Sequence, residues 1–169
     1  IRESKGYDHL LRAAAIVIRK HPQCRFVIAG EGSGELYEHL RALQSRLGLD
    51  TGVFFLGYRH DVHEILNNLD IFVLPSTSEG FSIVTLEAMA CRAPIVATKS
   101  GGPQEILTNG SGILVQPGNH EELARSIITM LEDGAVRNAC VLHAADIVQK
   151  KFSRKAMIEE YARLYQSAL

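Results

Sequence analysis

The sequence predicts an α/β protein: a doubly wound parallel sheet with extra helices at its C-terminal end. Short apolar runs alternate with longer stretches whose apolar residues recur every three or four positions. That βαβα order places parallel strands beneath helices on both faces. No fixed-period repeat and no proline- or serine-rich linker divides the chain, so 1–169 reads as one domain. Beyond the last strand pattern, helical periodicity stands alone.

Leu10, Leu11, Ala14 and Ile18 keep helical spacing over residues 7–20, and Pro22 ends that helix. Residues 25–30 read as a buried strand, followed by a helix near 34–47 and a strand at 53–56. A helix near 61–69 and a strand at 71–74 continue the alternation. Next come a helix near 82–91, a strand at 95–97, a short helix near 104–107 and a strand at 112–115. Helices near 121–131, 135–148 and 154–168 close the chain. This order is Rossmann-like, and ligands of such sheets bind beyond the carboxyl ends of the strands.

Composition narrows the function classes. With 46% apolar and 22% charged residues the chain is that of an ordinary globular protein rather than a disordered one. Lysine plus arginine number 18 against 19 acids, so bulk charge points to no nucleic-acid partner. Cys24, Cys91 and Cys140 are odd in number and lack CxxC spacing, and read as buried thiols of a reducing compartment. No apolar run approaches the roughly 18 to 20 residues of a membrane span and no signal peptide is visible, which places the expected protein in the cytoplasm. Ile1 in place of methionine suggests a fragment of a longer protein.

Four loops that follow strands can carry chemistry. Pro75-Ser76-Thr77-Ser78-Glu79-Gly80-Phe81-Ser82 opens the apolar helix that contains Ile83 and Glu87. Gly80 allows close backbone approach, and the free amides of a first helical turn suit a phosphate. Glu79 reads either as a carboxylate placed favourably at a helix N-terminus or as a ligand group. Glu87, in line with Ile83 and Ala90, reads as a buried carboxylate that needs an ion pair or sugar hydroxyls. Gly30-Glu31-Gly32-Ser33-Gly34 is a tight turn or a weak phosphate loop of a nicotinamide or flavin enzyme. Tyr58 and Arg59 offer an aromatic or guanidinium face to a nucleobase, while Asp61 caps the next helix or joins the contact. Gly101-Gly102-Pro103 is a turn that starts a helix. Lys5 either pairs with a diphosphate or is a solvated lysine. His60 and His63 share a helical face without a third metal ligand. Lys150, Lys151, Arg154 and Lys155 form a solvated basic surface or one attracted to an anionic membrane.

The run EGFSIVTLE from Glu79 to Glu87 resembles the E-x7-E signature of glycosyltransferase family 4, retaining enzymes of the two-domain GT-B fold. Its context agrees: Pro75-Ser76 before it, Ala88 to Ala90, Pro94-Ile95-Val96 and Gly101-Gly102 after it, then Asn109-Gly110 to Pro117-Gly118, with Lys5-Gly6 before the first helix. The resemblance covers essentially the whole chain and implies the C-terminal, donor-binding half of such an enzyme. It implies that Glu79 contacts hydroxyls of a donor hexose and that Glu87 holds the ribose hydroxyls. Backbone amides of Gly80, Phe81, Ser82 and Ile83 face sugar or diphosphate, and Lys5 stabilises the departing diphosphate. Tyr58 and Arg59 hold the base, and the Gly30 loop borders the nucleotide. The substrate it implies is a UDP-sugar or GDP-sugar, with no cofactor and no metal ion.

It further implies a missing N-terminal acceptor-binding domain, toward which residues 153–169 cross back with an exposed apolar face. The arginine that the family carries five positions before Lys5 falls ahead of Ile1. Transfer to a glycan or lipid-linked acceptor follows, as in polysaccharide or lipopolysaccharide biosynthesis, with the full-length enzyme in peripheral contact with the inner face of the membrane and the fragment inactive alone. A GT-B epimerase and a noncatalytic nucleotide-sugar-binding module are the alternatives.

Overall fold

The computed structural model describes residues 1–167. After a 3-10 turn at Glu3–Lys5 come α1 (Tyr7–Lys20), β1 (Phe26–Ala29), α2 (Gly34–Arg46), β2 (Val53–Gly57), α3 (Val62–Asn67), β3 (Phe72–Leu74) and α4 (Ile83–Ala90). Then follow β4 (Ile95–Thr98), α5 (Gly102–Ile106), β5 (Ile113–Val115), α6 (His120–Glu132), α7 (Gly134–Lys151) and α8 (Arg154–Ser167). Each predicted element is present, and β1–β2, β3–β4 and β4–β5 all pair in parallel. The predicted end of the last helix at Ala168 lies outside the described residues.

Helices cover β4 on both sides. Val96 joins a core of Leu10, Leu11, Ala14, Leu123, Ile127 and Met130, where the amphipathic α1 and α6 pack on each other. Ile95 and Ala97 point the other way, into a core of Ala88, Met89, Ile106 and Ala144 from α4, α5 and α7. This alternation along one strand is the period of two expected of β-structure buried on both faces. Helix starts follow local chemistry: the Asn119 side chain accepts from the Glu122 amide, and the Asp133 side chain accepts from the amides of Ala135 and Val136.

Three expectations need correction. The strands form two sheets, β1–β2 and β3–β4–β5, rather than one. An apolar cavity of about 340 Å³, lined among others by Val27, Ile28, Ile65, Leu69 and Val73, lies between them. The strand at 25–30 is only partly buried: Ile28 is inside but Val27 is exposed, as are Phe54 and Leu56 on the neighbouring β2. The six-residue α3 spans only about 9 Å and is too short to roof that face. Of the three thiols Cys140 alone is buried; Cys24 follows a surface turn and Cys91 ends α4, and both are half-buried. None of the helices is long and apolar enough to cross a membrane among the described residues.

Candidate donor site

The site is assembled at the carboxyl ends of the strands by a glycine contact. Gly6 adopts φ 64° between the 3-10 turn and α1, and a side chain there would overlap the Pro75 carbonyl oxygen. The close approach lets the Thr77 amide donate to the Ser4 carbonyl at 2.8 Å. Lys5 is thereby delivered to the loop after β3, where Nζ lies 2.7 Å from Glu79 Oε2. Ser76 Oγ donates to the same carboxylate oxygen at 2.9 Å. The Glu79 side chain is 13% exposed and that of Lys5 is 35% exposed. Lys5 is therefore a paired group rather than a solvated one, and Glu79 owes its setting to the ammonium and hydroxyl more than to a helix end.

The Gly101-Gly102 turn buttresses the same loop. The Glu79 amide donates to the Ser100 carbonyl at 2.9 Å, and the Gly102 amide donates to the Glu79 carbonyl at 3.4 Å. A side chain on Gly102 would overlap the Gly80 carbonyl oxygen, so the turn has a packing role beyond starting α5. Ser82 sits at φ 63° ahead of α4, with Oγ 2.8 Å from Thr85 Oγ1. Among the described residues none accepts a hydrogen bond from the amides of Gly80, Phe81, Ser82, Ile83 or Val84. Phe81 is half-exposed, its ring edge-on to Phe152 with centroids 5.8 Å apart.

Glu87 departs from its expected place: it is exposed and has no ion-pair partner among the described residues. The buried side of α4 is Thr85, Ala88 and Met89, so the stripe of Ile83, Glu87 and Ala90 faces outward, with Ile83 68% exposed. An exposed carboxylate keeps its water and demands no partner. Gly30, at φ 148°, ends β1 beside Tyr7, whose hydroxyl oxygen lies 3.8 Å from where a Gly30 side chain would begin. Burial, and then the charge of Glu79, pushes the Tyr7 phenol above its ordinary value. The sequence reading passed over Tyr7; its position directly after Lys5-Gly6 was the available signal.

The loop after β2 stands apart. Tyr58 is exposed, with its ring edge-on to His60 at 4.8 Å between centroids. Arg59 donates from Nε to Asp61 at 2.7 Å and from its terminal nitrogen to the other carboxylate oxygen. That fork holds Asp61 below the usual carboxylate range and raises Arg59. The Asp61 side chain accordingly does not cap α3. Neither Tyr58 nor Arg59 shares a hydrogen bond or ion pair with the two glutamates among the described residues.

With this geometry in view the sequence matches the family described as glycosyl transferases group 1 over residues 1–146. The chain belongs to the group 1 glycosyl transferases. Among its group 1 relatives, an uncharacterised glycosyltransferase of Methanocaldococcus jannaschii is 33% identical, covering 98% of this chain and 42% of that protein. A lipopolysaccharide core biosynthesis glycosyltransferase of Rhizobium meliloti is 31% identical, covering 98% and 47%. The chain thus spans less than half the length of these two curated relatives. The Anabaena HepE crystal structure in complex with UDP superposes with TM-score 0.90 at 32% identity, covering 98% of this chain and 46% of that one. The crystallised C-terminal domain of the group 1 protein LpcC from Francisella tularensis gives 0.82 at 30%, covering 91% and 83%. The fold is that of a GT-B C-terminal domain.

Proposed function

We propose that the chain is the donor-binding half of a retaining, metal-independent hexosyltransferase that uses a UDP- or GDP-sugar. The observation that carries this is the Lys5–Glu79–Ser76 cluster beside the free amides from Gly80 to Val84. An ammonium and unpaired amides match a diphosphate, and a carboxylate matches hexose hydroxyls, which are donors. Breaking the glycosidic bond builds charge on the diphosphate, which Lys5, placed in advance, stabilises. Glu87, open on the outward face of α4, receives the ribose hydroxyls, and Tyr58 and Arg59 meet the base. The Gly30 loop and Tyr7 border the nucleotide. Complexes of the Anabaena neighbour with UDP and with UDP-glucose, at 32% identity, support the choice of ligand class. The acceptor, a glycan or lipid-linked alcohol, belongs to the part of the longer protein that these residues do not span.

Calorimetric titration with UDP, GDP, UDP-glucose and GDP-mannose tests the reading. One base is expected to be bound in preference, with and without EDTA. Glu87→Ala should weaken the nucleotide by about tenfold, the loss of a charge-assisted hydrogen-bond pair. Undiminished binding by that variant sinks the ribose role, and no binding of any nucleotide by the unaltered chain sinks the donor reading. Anomeric configuration of the product of the full-length protein, read by NMR, decides retention.

A further inference from the structure

Thr98 is 2% exposed at the end of β4 and lies behind the donor site. Its hydroxyl donates to the Ser76 carbonyl, with Oγ1 also 3.4 Å from the Leu74 carbonyl and 3.1 Å from Ser100 Oγ. A threonine hydroxyl has one proton, for which the Ser76 carbonyl, the Leu74 carbonyl and Ser100 Oγ are all acceptors in reach, while Ser100 Oγ itself donates to the Thr98 carbonyl at 3.4 Å. Ser76 and Ser100 in turn hold Glu79. Ser76 Oγ donates to the Glu79 carboxylate at 2.9 Å, and the Ser100 carbonyl accepts the Glu79 amide at 2.9 Å. Thr98 therefore joins the anchor of the carboxylate to the anchor of the backbone. The β-branched side chain is stiff about χ1, which fixes the direction of the hydroxyl.

We propose that Thr98 is a positioning residue that sets the Glu79 carboxylate, and through it the hexose portion of a bound nucleotide sugar. The inference rests on the donor reading given above for the role of Glu79, but the setting of Glu79 is testable without ligand. Thr98→Val keeps the shape of the side chain and strands the Ser76 carbonyl, whereas Thr98→Ser keeps the hydroxyl.

Two measurements on the chain decide it. Amide hydrogen exchange by NMR should show Glu79 exchanging about tenfold faster in T98V, the scale of one lost buried hydrogen bond, with α1 amides unchanged. Affinity for UDP-glucose should fall about tenfold while affinity for UDP stays within about twofold, and T98S should restore both. A generally loosened fold would lower both affinities together, so equal losses overturn the proposal, as does unchanged exchange at Glu79. Should T98V fail to fold, Ser100→Ala removes the second hydroxyl of the network and is held to the same exchange and affinity ratios. If the unaltered chain binds GDP and GDP-mannose instead, that pair replaces the uridine pair. If it binds no nucleotide at all, the donor reading falls, and the exchange measurement alone upholds or overturns the setting of Glu79 by Thr98.

Discussion

Gly6 is where a single hydrogen atom decides whether Lys5 reaches Glu79. A methyl group there would both occupy a left-handed backbone conformation and overlap the Pro75 carbonyl. Gly6→Ala should therefore cost about 1–3 kcal/mol, visible as a lower urea midpoint, and should loosen the Lys5 contact. Residue type in the sequence singled out Gly80 and, inside an apolar run, Glu87, whereas Lys5 and Glu79 each left two readings open and gained their roles from the family resemblance. Their settings were not legible. Glu87 stands among apolar neighbours in the chain, yet a helix of eight residues with apolar positions all round does not declare which side is inward. Its exposure follows from Thr85, Ala88 and Met89 packing on the core, which is tertiary information. The Lys5–Glu79 pair spans 74 positions, beyond the reach of any local pattern.

The elements themselves were readable because amphipathic period and breakers are local: α1 begins after Gly6 and ends before Pro22, as its spacing demands. Division into two sheets was not readable, since a strand does not state its neighbour. α1 and α6 also meet at their C-terminal ends, where the Glu132 carboxylate receives Lys20 Nζ at 2.7 Å and stands 3.0 Å from His21 Nε2. The hydrogen bond from Lys20, with smaller contributions from its charge and from His21, holds Glu132 below the usual carboxylate range. A depressed folded-state value means that stability from this contact is complete above the unfolded carboxylate value and is lost as pH falls through the folded one. Glu132→Gln should lower the urea midpoint slightly at neutral pH and leave it unchanged in acid. Midpoints measured from pH 7 down to about pH 3 check this.

At the scale of the molecule α8 carries a cluster of exposed apolar side chains, with Met157, Ile158, Tyr161, Leu164 and Tyr165 all more than half exposed. Apolar side chains spaced along one helix face mark an interaction surface, and the chain spans under half of the relatives described above. The 169-residue chain should accordingly self-associate at high concentration. Sedimentation velocity should show Tyr161→Glu with Leu164→Glu returning it to monomer. The strand β4 has a different bearing on the molecule. Ile95 and Ala97 belong to one core and Val96 to the other, so neither can melt while its opposite keeps its packing. The two halves share one wall, and unfolding is therefore a single cooperative event in which damage on either side is felt on both.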